Sequence, residues 1–360
     1  MSTSMSEDNR PVLITGGAGF VATNVAHRVL STTGRSVILF DNLSRAGVEQ
    51  NAAWLRQVHG TRVRLQLGDI RDRDAVQKVV QQAGEVYHFA AQVAVTTSLV
   101  DPFLDFEVNA RGTLNLLEAV RTCDNPPSVL FTSTNKVYGD LEDVGLQKRS
   151  TRYEPSDAGL RRDGISEARC LEFHSPYGCS KGVAEQYVLD YARTFGLRTV
   201  VFRMSCIYGP HQFGTEDQGW VAHFLIAAMK GMPLTIYGDG LQVRDILFVE
   251  DLAEAMLLAQ AQVDRLSGEA FNIGGGPRNT TSLVELLDVI GELIGERPLA
   301  NVEPWRPADQ RYYVSDTRKF ERATGWRPRT GVREGVARLH EWLVQTRGAQ
   351  AAVAAGRVAS

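Results

Sequence analysis

Cysteine is scarce. Only Cys123, Cys170, Cys179 and Cys206 occur in 360 residues, and no two form a CxxC pair. A disulfide scaffold is excluded, and reduced thiols in a cytoplasmic protein are expected. Long apolar runs are absent too: none approaches the ~20 residues that span a bilayer. The opening MSTSMSEDNR lacks the basic and apolar regions of a signal peptide. There is no excess of positive charge, with 39 Lys and Arg against 42 Asp and Glu and a net charge of −3. No nucleic acid or membrane partner is expected, and an anionic ligand must be held by local groups. The seven histidines show no HExxH-type spacing, so no metal site is expected. What is present is ordinary for a globular enzyme: 43% hydrophobic and 22% charged residues, with 33 Gly and 13 Pro. The length suits two domains, or one large α/β unit with a smaller lobe.

Short apolar runs recur at Val12–Ile14, Val37–Phe40, Arg62–Leu67, Glu85–Ala90, Ser128–Thr132 and Thr199–Arg203. Helix-length segments such as Asn109–Thr122 and Lys181–Thr194 separate them. That alternation predicts an α/β fold, a Rossmann-type doubly wound parallel sheet covered on both faces with right-handed crossovers. Beyond residue 204 the spacing is less regular, and 210–240 and 277–330 are rich in Gly, Pro and Trp. These segments are read as a smaller interleaved lobe, with late strands of the main sheet near 244–250 and 270–273. The resulting division has a disordered N-terminus at 1–10 and a nucleotide-binding domain at 11–203 plus about 244–276. A substrate-binding lobe follows at about 204–243 plus 277–345, and a flexible tail at 346–360.

The first run leads through Thr15-Gly16-Gly17-Ala18-Gly19 into a helix that starts at Phe20 and Val21. Gly16 permits a tight turn. Gly19 lets a pyrophosphate approach the backbone, and the helix offers free N–H groups and its positive dipole end. Ala22 takes the third glycine position and is small enough for close helix–strand packing. Asp41, followed by Asn42, ends the second run, where a carboxylate accepts from both ribose hydroxyls and repels a 2′-phosphate. NAD is therefore expected over NADP. Gly68-Asp69-Ile70 follows the third run; Asp69 either meets the adenine or caps the next helix.

His174-Ser175-Pro176-Tyr177-Gly178-Cys179-Ser180-Lys181 contains YxxxK, which on a helix puts Tyr177 and Lys181 on one face. A phenol of pKa ~10 must fall by about three units, roughly 4 kcal/mol, to act as a base near neutrality. A nearby ammonium and a positively charged nicotinamide both act in that direction. At the carboxyl end of the fifth run, Thr134 can hydrogen-bond a reacting hydroxyl and Tyr177, although small hydroxyl residues also make turns there.

The set TGGAGF, HFAA (88–91), NARGT (109–113), STNKVYG, YGCSK, FRMSCIYGP (202–210) and VRDILFVED (243–251) resembles the extended short-chain dehydrogenase/reductase family. These are NAD-dependent epimerases and dehydratases of nucleotide sugars, and the likeness covers about residues 11–330. STNKVYGD, HSPYGCSKG and DQGW (217–220) are similar to its CDP-paratose (CDP-tyvelose) 2-epimerase branch. The resemblance implies NAD contacts from Ala90, Ala91, Gln92 and Asn109, as well as Tyr177 and Lys181. It implies substrate contacts from Thr134, Asn135, Lys136, Gln212 and Phe213, and pyrophosphate contacts from Arg244 and Arg306. It also implies a homodimer or homotetramer, formed through the helices at 109–122 and 177–195. The family's 4,6-dehydratases carry Asp-Glu after the strand-end Thr. This chain has Asn135-Lys136, which argues against dehydration and for epimerisation.

Several readings stay open. Arg203 is either a buried structural ion pair or a ligand contact. Trp220 is read as core packing and Cys179 as a small packing residue. The polar segment 140–174 is either a solvated insertion or a flap over the sugar. The implied reaction inverts a sugar carbon through a transient ketone with tightly held NAD. C2 follows from the branch, because the residues do not choose C2 over C4. A 4-epimerase, or a 2-epimerase of another UDP-, GDP- or CDP-hexose, is the alternative. A 4,6-dehydratase, a net dehydrogenase and a non-catalytic NAD-binding protein are the remaining readings.

Overall fold

A computed structural model describes residues 9–306 and 309–358, with side chains to residue 346. Seven strands form the central sheet: β1 (Val12–Thr15), β2 (Val37–Asp41), β3 (Val63–Leu67), β4 (Glu85–His88), β5 (Ser128–Thr134), β8 (Thr199–Met204) and β12 (Glu269–Ile273). Their order is β12-β8-β5-β4-β1-β2-β3, and every pair is parallel. The order reverses between β1 and β4, which opens a crevice at their carboxyl ends.

Strand alternation sends neighbouring residues to opposite faces. Val12, Ile14, Val37 and Leu39 pack under the helices Phe20–Thr32 and Val249–Ala261. Leu13, Ile38, Phe40, Val86, Val129 and Phe131 pack under Arg73–Val80, Gly112–Arg121 and Ser175–Phe195. Because both faces are covered, these strands read as unbroken apolar runs.

The remaining strands are β6 (Leu146–Lys148), β7 (Tyr153–Pro155), β9 (Cys206–Tyr208), β10 (Leu234–Tyr237), β11 (Val243–Phe248), β13 (Thr280–Ser282), β14 (Ala300–Glu303) and β15 (Tyr312–Tyr313). The run near 244–250 does not join the main sheet. As β11 it pairs with β9, β13 and β15 in a separate sheet, and only β12 extends the main one. An apolar run shows that a strand is buried but not which sheet receives it. The second core beneath this sheet gathers Phe224, Ile246, Phe248, Leu286, Ile290 and Leu339.

The segment 140–174 is a largely solvent-facing insertion with a buried anchor, and it is not a flap over the cavities. It forms the β6–β7 hairpin and the helix Ala158–Asp163, and its Leu141, Val144 and Ile165 are buried with Tyr138 and Tyr313. It lines neither cavity described below. The last helix runs Val332–Val358, so its backbone continues into the segment read as a tail. Residues 1–8, 307–308 and 359–360 lie outside the described residues. No helix of the described residues is long and apolar enough to cross a membrane.

Arg203 on β8 forms a buried ion pair with Glu185 at 2.5 Å, so the structural reading of this residue holds. Glu185 also accepts from Ser133 of β5 at 2.5 Å. Arg203 donates to the Tyr138 hydroxyl at 2.9 Å, which donates on to Asn272 of β12 at 2.8 Å. Glu185→Gln leaves the guanidinium buried without its counter-charge, and a loss of about 3–5 kcal/mol is expected. Arg338→Ala, which breaks an exposed pair with Glu250, should cost no more than about 1 kcal/mol. Urea denaturation of the two variants checks the contrast, and equal midpoints would contradict it.

Candidate active site

Two adjoining cavities open along the carboxyl ends of the central strands. The larger, about 610 Å³, lies over β1 to β4 and is lined by Asp41, Asn42, Asp69, Ile70, Ala90 and Gln92, among others. The smaller, about 330 Å³, lies over β5 and β8 and is lined by Thr134, Asn135, Tyr177, Lys181, Gln212 and Phe213, among others. Gly16, Gly19 and Ala91 line both, and Phe20 and Val21 line the smaller.

The larger cavity fits a dinucleotide. Gly16 has φ +64°, and a Cβ there would stand 2.7 Å from the Ala90 nitrogen. Gly19 caps the helix Phe20–Thr32 with no side-chain hydrogen bond, and no acidic residue lies in the first turn. The helix's free N–H groups and positive end therefore remain available to a pyrophosphate. Asp41 is held in place by Ala18 N at 3.0 Å and Leu43 N at 2.7 Å. Asn42 donates to Asp69 at 2.9 Å. Arg71 grips Asp69 bidentately at 2.9 and 2.8 Å, and holds its carboxyl well below the usual range. The capping alternative for Asp69 is not taken, because Asp72 caps the helix Arg73–Val80. Asn109 does not face the cavity. It is buried behind the wall, accepting from Gln92 N at 2.9 Å and donating to Gln92 O at 3.0 Å. Arg45, which the motif reading missed, borders both cavities near Asp41. Its only signal in the sequence was a cation in the loop after β2.

The catalytic candidates converge. Thr134 ends β5, and Tyr177 and Lys181 lie one turn apart on the helix Ser175–Phe195. Tyr177 N donates to Ser98 Oγ at 3.2 Å, and Lys181 Nζ sits 4.3 Å from the centre of the Phe131 ring. The expected lowering of the phenol is absent from the protein alone. Burial pushes Tyr177 up to about 12, against hydrogen bonding from Thr134. Burial also pulls Lys181 down to about 7, against the charges of Asp105 and Glu185. Desolvation outweighs charge pairing here because it disfavours both ionised forms. His88 is also buried and pulled down to about 3; its ring meets Thr15 at 2.7 Å and Thr113 at 3.0 Å. It is a neutral packing residue. Asp105, fully buried beside this group, was not signalled by any motif.

The substrate candidates divide. Thr134, Asn135, Gln212 and Phe213 line the smaller cavity, whereas Lys136, Arg244 and Arg306 line neither. Asn135 donates to Gln310 at 3.1 Å, and Gln310 donates to Gly139 O at 2.6 Å. Burial, with Arg244 adding to it, pulls Lys136 down to about 8. Arg244 pairs with Asp309 at 2.7 Å. Arg306 stacks 3.8 Å over Tyr237 and donates to Glu216 O at 3.2 Å. Gln212 donates to Ile207 O at 3.2 Å, and its buried Oε1 has no partner among the described residues. Trp220 both packs on Phe224, with ring centres 5.9 Å apart, and borders the cavity. Cys179 is exposed and not a packing residue, because its helix position faces outward. Among the described residues no group of three or more His, Cys, Asp or Glu could hold a metal ion.

Residues 12–274 match the model of the NAD dependent epimerase/dehydratase family. A CDP-paratose 2-epimerase from Salmonella typhi is 44% identical over 338 residues, covering 92% of this chain and 98% of the relative. A putative UDP-glucose 4-epimerase from Methanocaldococcus jannaschii is 32% identical, covering 92% and 98%. The structure of UDP-glucose 4-epimerase from Thermus thermophilus in complex with NAD superposes with a TM-score of 0.76 at 32% identity, covering 92% of this chain and 98% of that one. The cofactor is NAD, in agreement with the uncapped helix and the anchored Asp41. By family model, relatives and site alike, this chain belongs to the NAD dependent epimerase/dehydratase family.

Proposed function

We propose that this enzyme inverts C2 of a CDP-linked dideoxy sugar, interconverting CDP-paratose and CDP-tyvelose through a transient ketone. The observation that carries the epimerase reading is the composition of the strand end. Thr134, Tyr177 and Lys181 border one cavity, while Asn135 and Lys136 stand where water elimination would need carboxylic acids. The choice of C2 and of the CDP sugar is supported by the 44% identity to the Salmonella typhi relative.

NAD, when bound, supplies a reversible hydride acceptor. Thr134 orients the reacting hydroxyl. Tyr177 takes its proton and later returns it. Lys181 holds positive charge beside the phenol, whose burial keeps it neutral until the positive cofactor ring is present. The cofactor is held by Gly16, Gly19, Phe20, Val21, Asp41, Asn42, Asp69, Ile70 and the Ala90-Ala91-Gln92 segment, with Asn109 bracing that segment from behind. In this reading the main sheet forms the NAD-binding domain, and the smaller lobe holds the nucleotide diphosphate. Gln212 offers its unpartnered carbonyl to a ligand donor beside Phe213. Arg244 and Arg306 exchange Asp309 and the Glu216 segment for the diphosphate. A second copy packs on the helices at 109–122 and 177–195 and on the adjoining Val100 and Phe103, which are 86% and 83% exposed, giving a homodimer or homotetramer. The place of work is the cytoplasm.

Incubation with CDP-paratose and no added NAD should yield a new anomeric proton signal with the coupling of the C2-inverted sugar. Unchanged spectra from NAD-loaded protein would reject this substrate. Tyr177→Phe should keep fold and bound NAD while losing turnover by roughly 10²–10⁴-fold; near-normal turnover would remove the tyrosine from this role. Phe103→Glu should shift the protein from dimer to monomer in light scattering, and a dimer that persists would place the contact elsewhere.

A further inference from the structure

Asp105 lies on the short helix Pro102–Phe106 and is fully shut off from solvent. Its Oδ1 accepts from Gln92 Nε2 at 2.7 Å and from Asn109 Nδ2 at 3.1 Å. The Asn109 amide also meets Ser180 Oγ at 3.0 Å, and Ser180 donates to the Tyr177 carbonyl at 3.2 Å. One carboxylate thus ties the Gln92 segment to the first turns of the helix that carries Tyr177 and Lys181. Its other oxygen, Oδ2, is buried with no hydrogen-bond partner among the described residues.

Each element packed around Lys181 contributes a group. Its own helix supplies Tyr177 and Glu185, and Glu185 is committed to Arg203 and Ser133. β5 supplies the Phe131 ring, and β4 supplies His88, whose two ring nitrogens meet threonine hydroxyls. The helix Pro102–Phe106 supplies Asp105. Of the two carboxylates whose charge bears on Lys181, Asp105 is the one without an arginine partner; burial raises its own carboxyl, against its hydrogen bonds and the Lys181 charge.

We propose that Asp105 is a positioning residue of this site, locking the Gln92 segment onto the Tyr177–Lys181 helix and supplying the counter-charge that keeps the Lys181 ammonium protonated. The proposal rests on the reading of Tyr177 and Lys181 as the proton-handling pair. A negative charge nearby stabilises the protonated form of both groups. Its removal therefore lowers the midpoints of both lysine and phenol, and the activity profile moves toward acid.

The test is Asp105→Asn in NAD-loaded protein, with ε-¹⁵N NMR titration of the six lysines (78, 136, 148, 181, 230 and 319). The Lys181 resonance is assigned by its loss in Lys181→Met. The Lys181 midpoint should fall by about one unit, a tenfold change in its acid dissociation constant. The pH optimum on CDP-paratose should fall with it. An unchanged Lys181 midpoint in folded Asp105→Asn overturns the proposal. Asp105→Ser, smaller but still an acceptor for Gln92, gives a second reading of the same midpoint. If neither variant folds while Asn109→Ala does, Asp105 is purely architectural and the proposal fails. The titration needs no substrate, so it judges Asp105 even where CDP-paratose is not turned over.

Discussion

The buried pair Glu185–Arg203 holds together the parts that the site depends on. Glu185 stands on the helix of Tyr177 and Lys181, and Arg203 on β8. Through Ser133 the pair reaches β5 one residue before Thr134, and through Tyr138 and Asn272 it reaches β12. Asn272 in turn donates to Ile165 O, which ties in the 140–174 segment. Two charges in a dry interior are tolerated only when both are fully bonded. That requirement fixes the relative placement of strand ends and helix more tightly than apolar packing alone.

Desolvation sets the electrostatics of the site. The same burial that raises the Tyr177 phenol lowers the Lys181 ammonium, so the protein by itself holds the phenol neutral and draws the lysine down to about 7. In the mechanism we propose, the positive cofactor ring acts strongly on the phenol, because charges in a dry cavity are poorly screened. Arg244 and Arg306 are engaged by Asp309, Glu216 and Asp217, so neither guanidinium is left unpaired.

The regular parts of this architecture were legible in the residues. Unbroken apolar runs ending in Gly16, Asp41, Asp69 and Thr134 gave the strands, their parallel sense and the end of the sheet that carries chemistry, since doubly covered strands need no polar alternation. YxxxK placed Tyr177 and Lys181 on one helix face because helical periodicity is local. The run at 244–250 was not assigned correctly, since pairing to β9 and β13 depends on where the chain turns after Ser205. Asp105 and Arg45 were invisible, because a single charged residue carries no mark of what it is folded against.

The sequence by itself determined the fold class, the glycine loop and the candidates Thr134, Tyr177 and Lys181, while the family resemblance singled out Asn135 and Lys136 where the dehydratases carry Asp-Glu. The strands, the loop and YxxxK rest on spacing within one element. Only the tertiary structure decided that Arg203 is structural, that Asn109 braces the wall instead of lining it, that the 140–174 segment is anchored on Tyr138 and Tyr313, and that burial dominates the ionisation of Tyr177 and Lys181. Each depends on which distant groups are brought together and how much water is excluded between them, and neither quantity is written in local sequence.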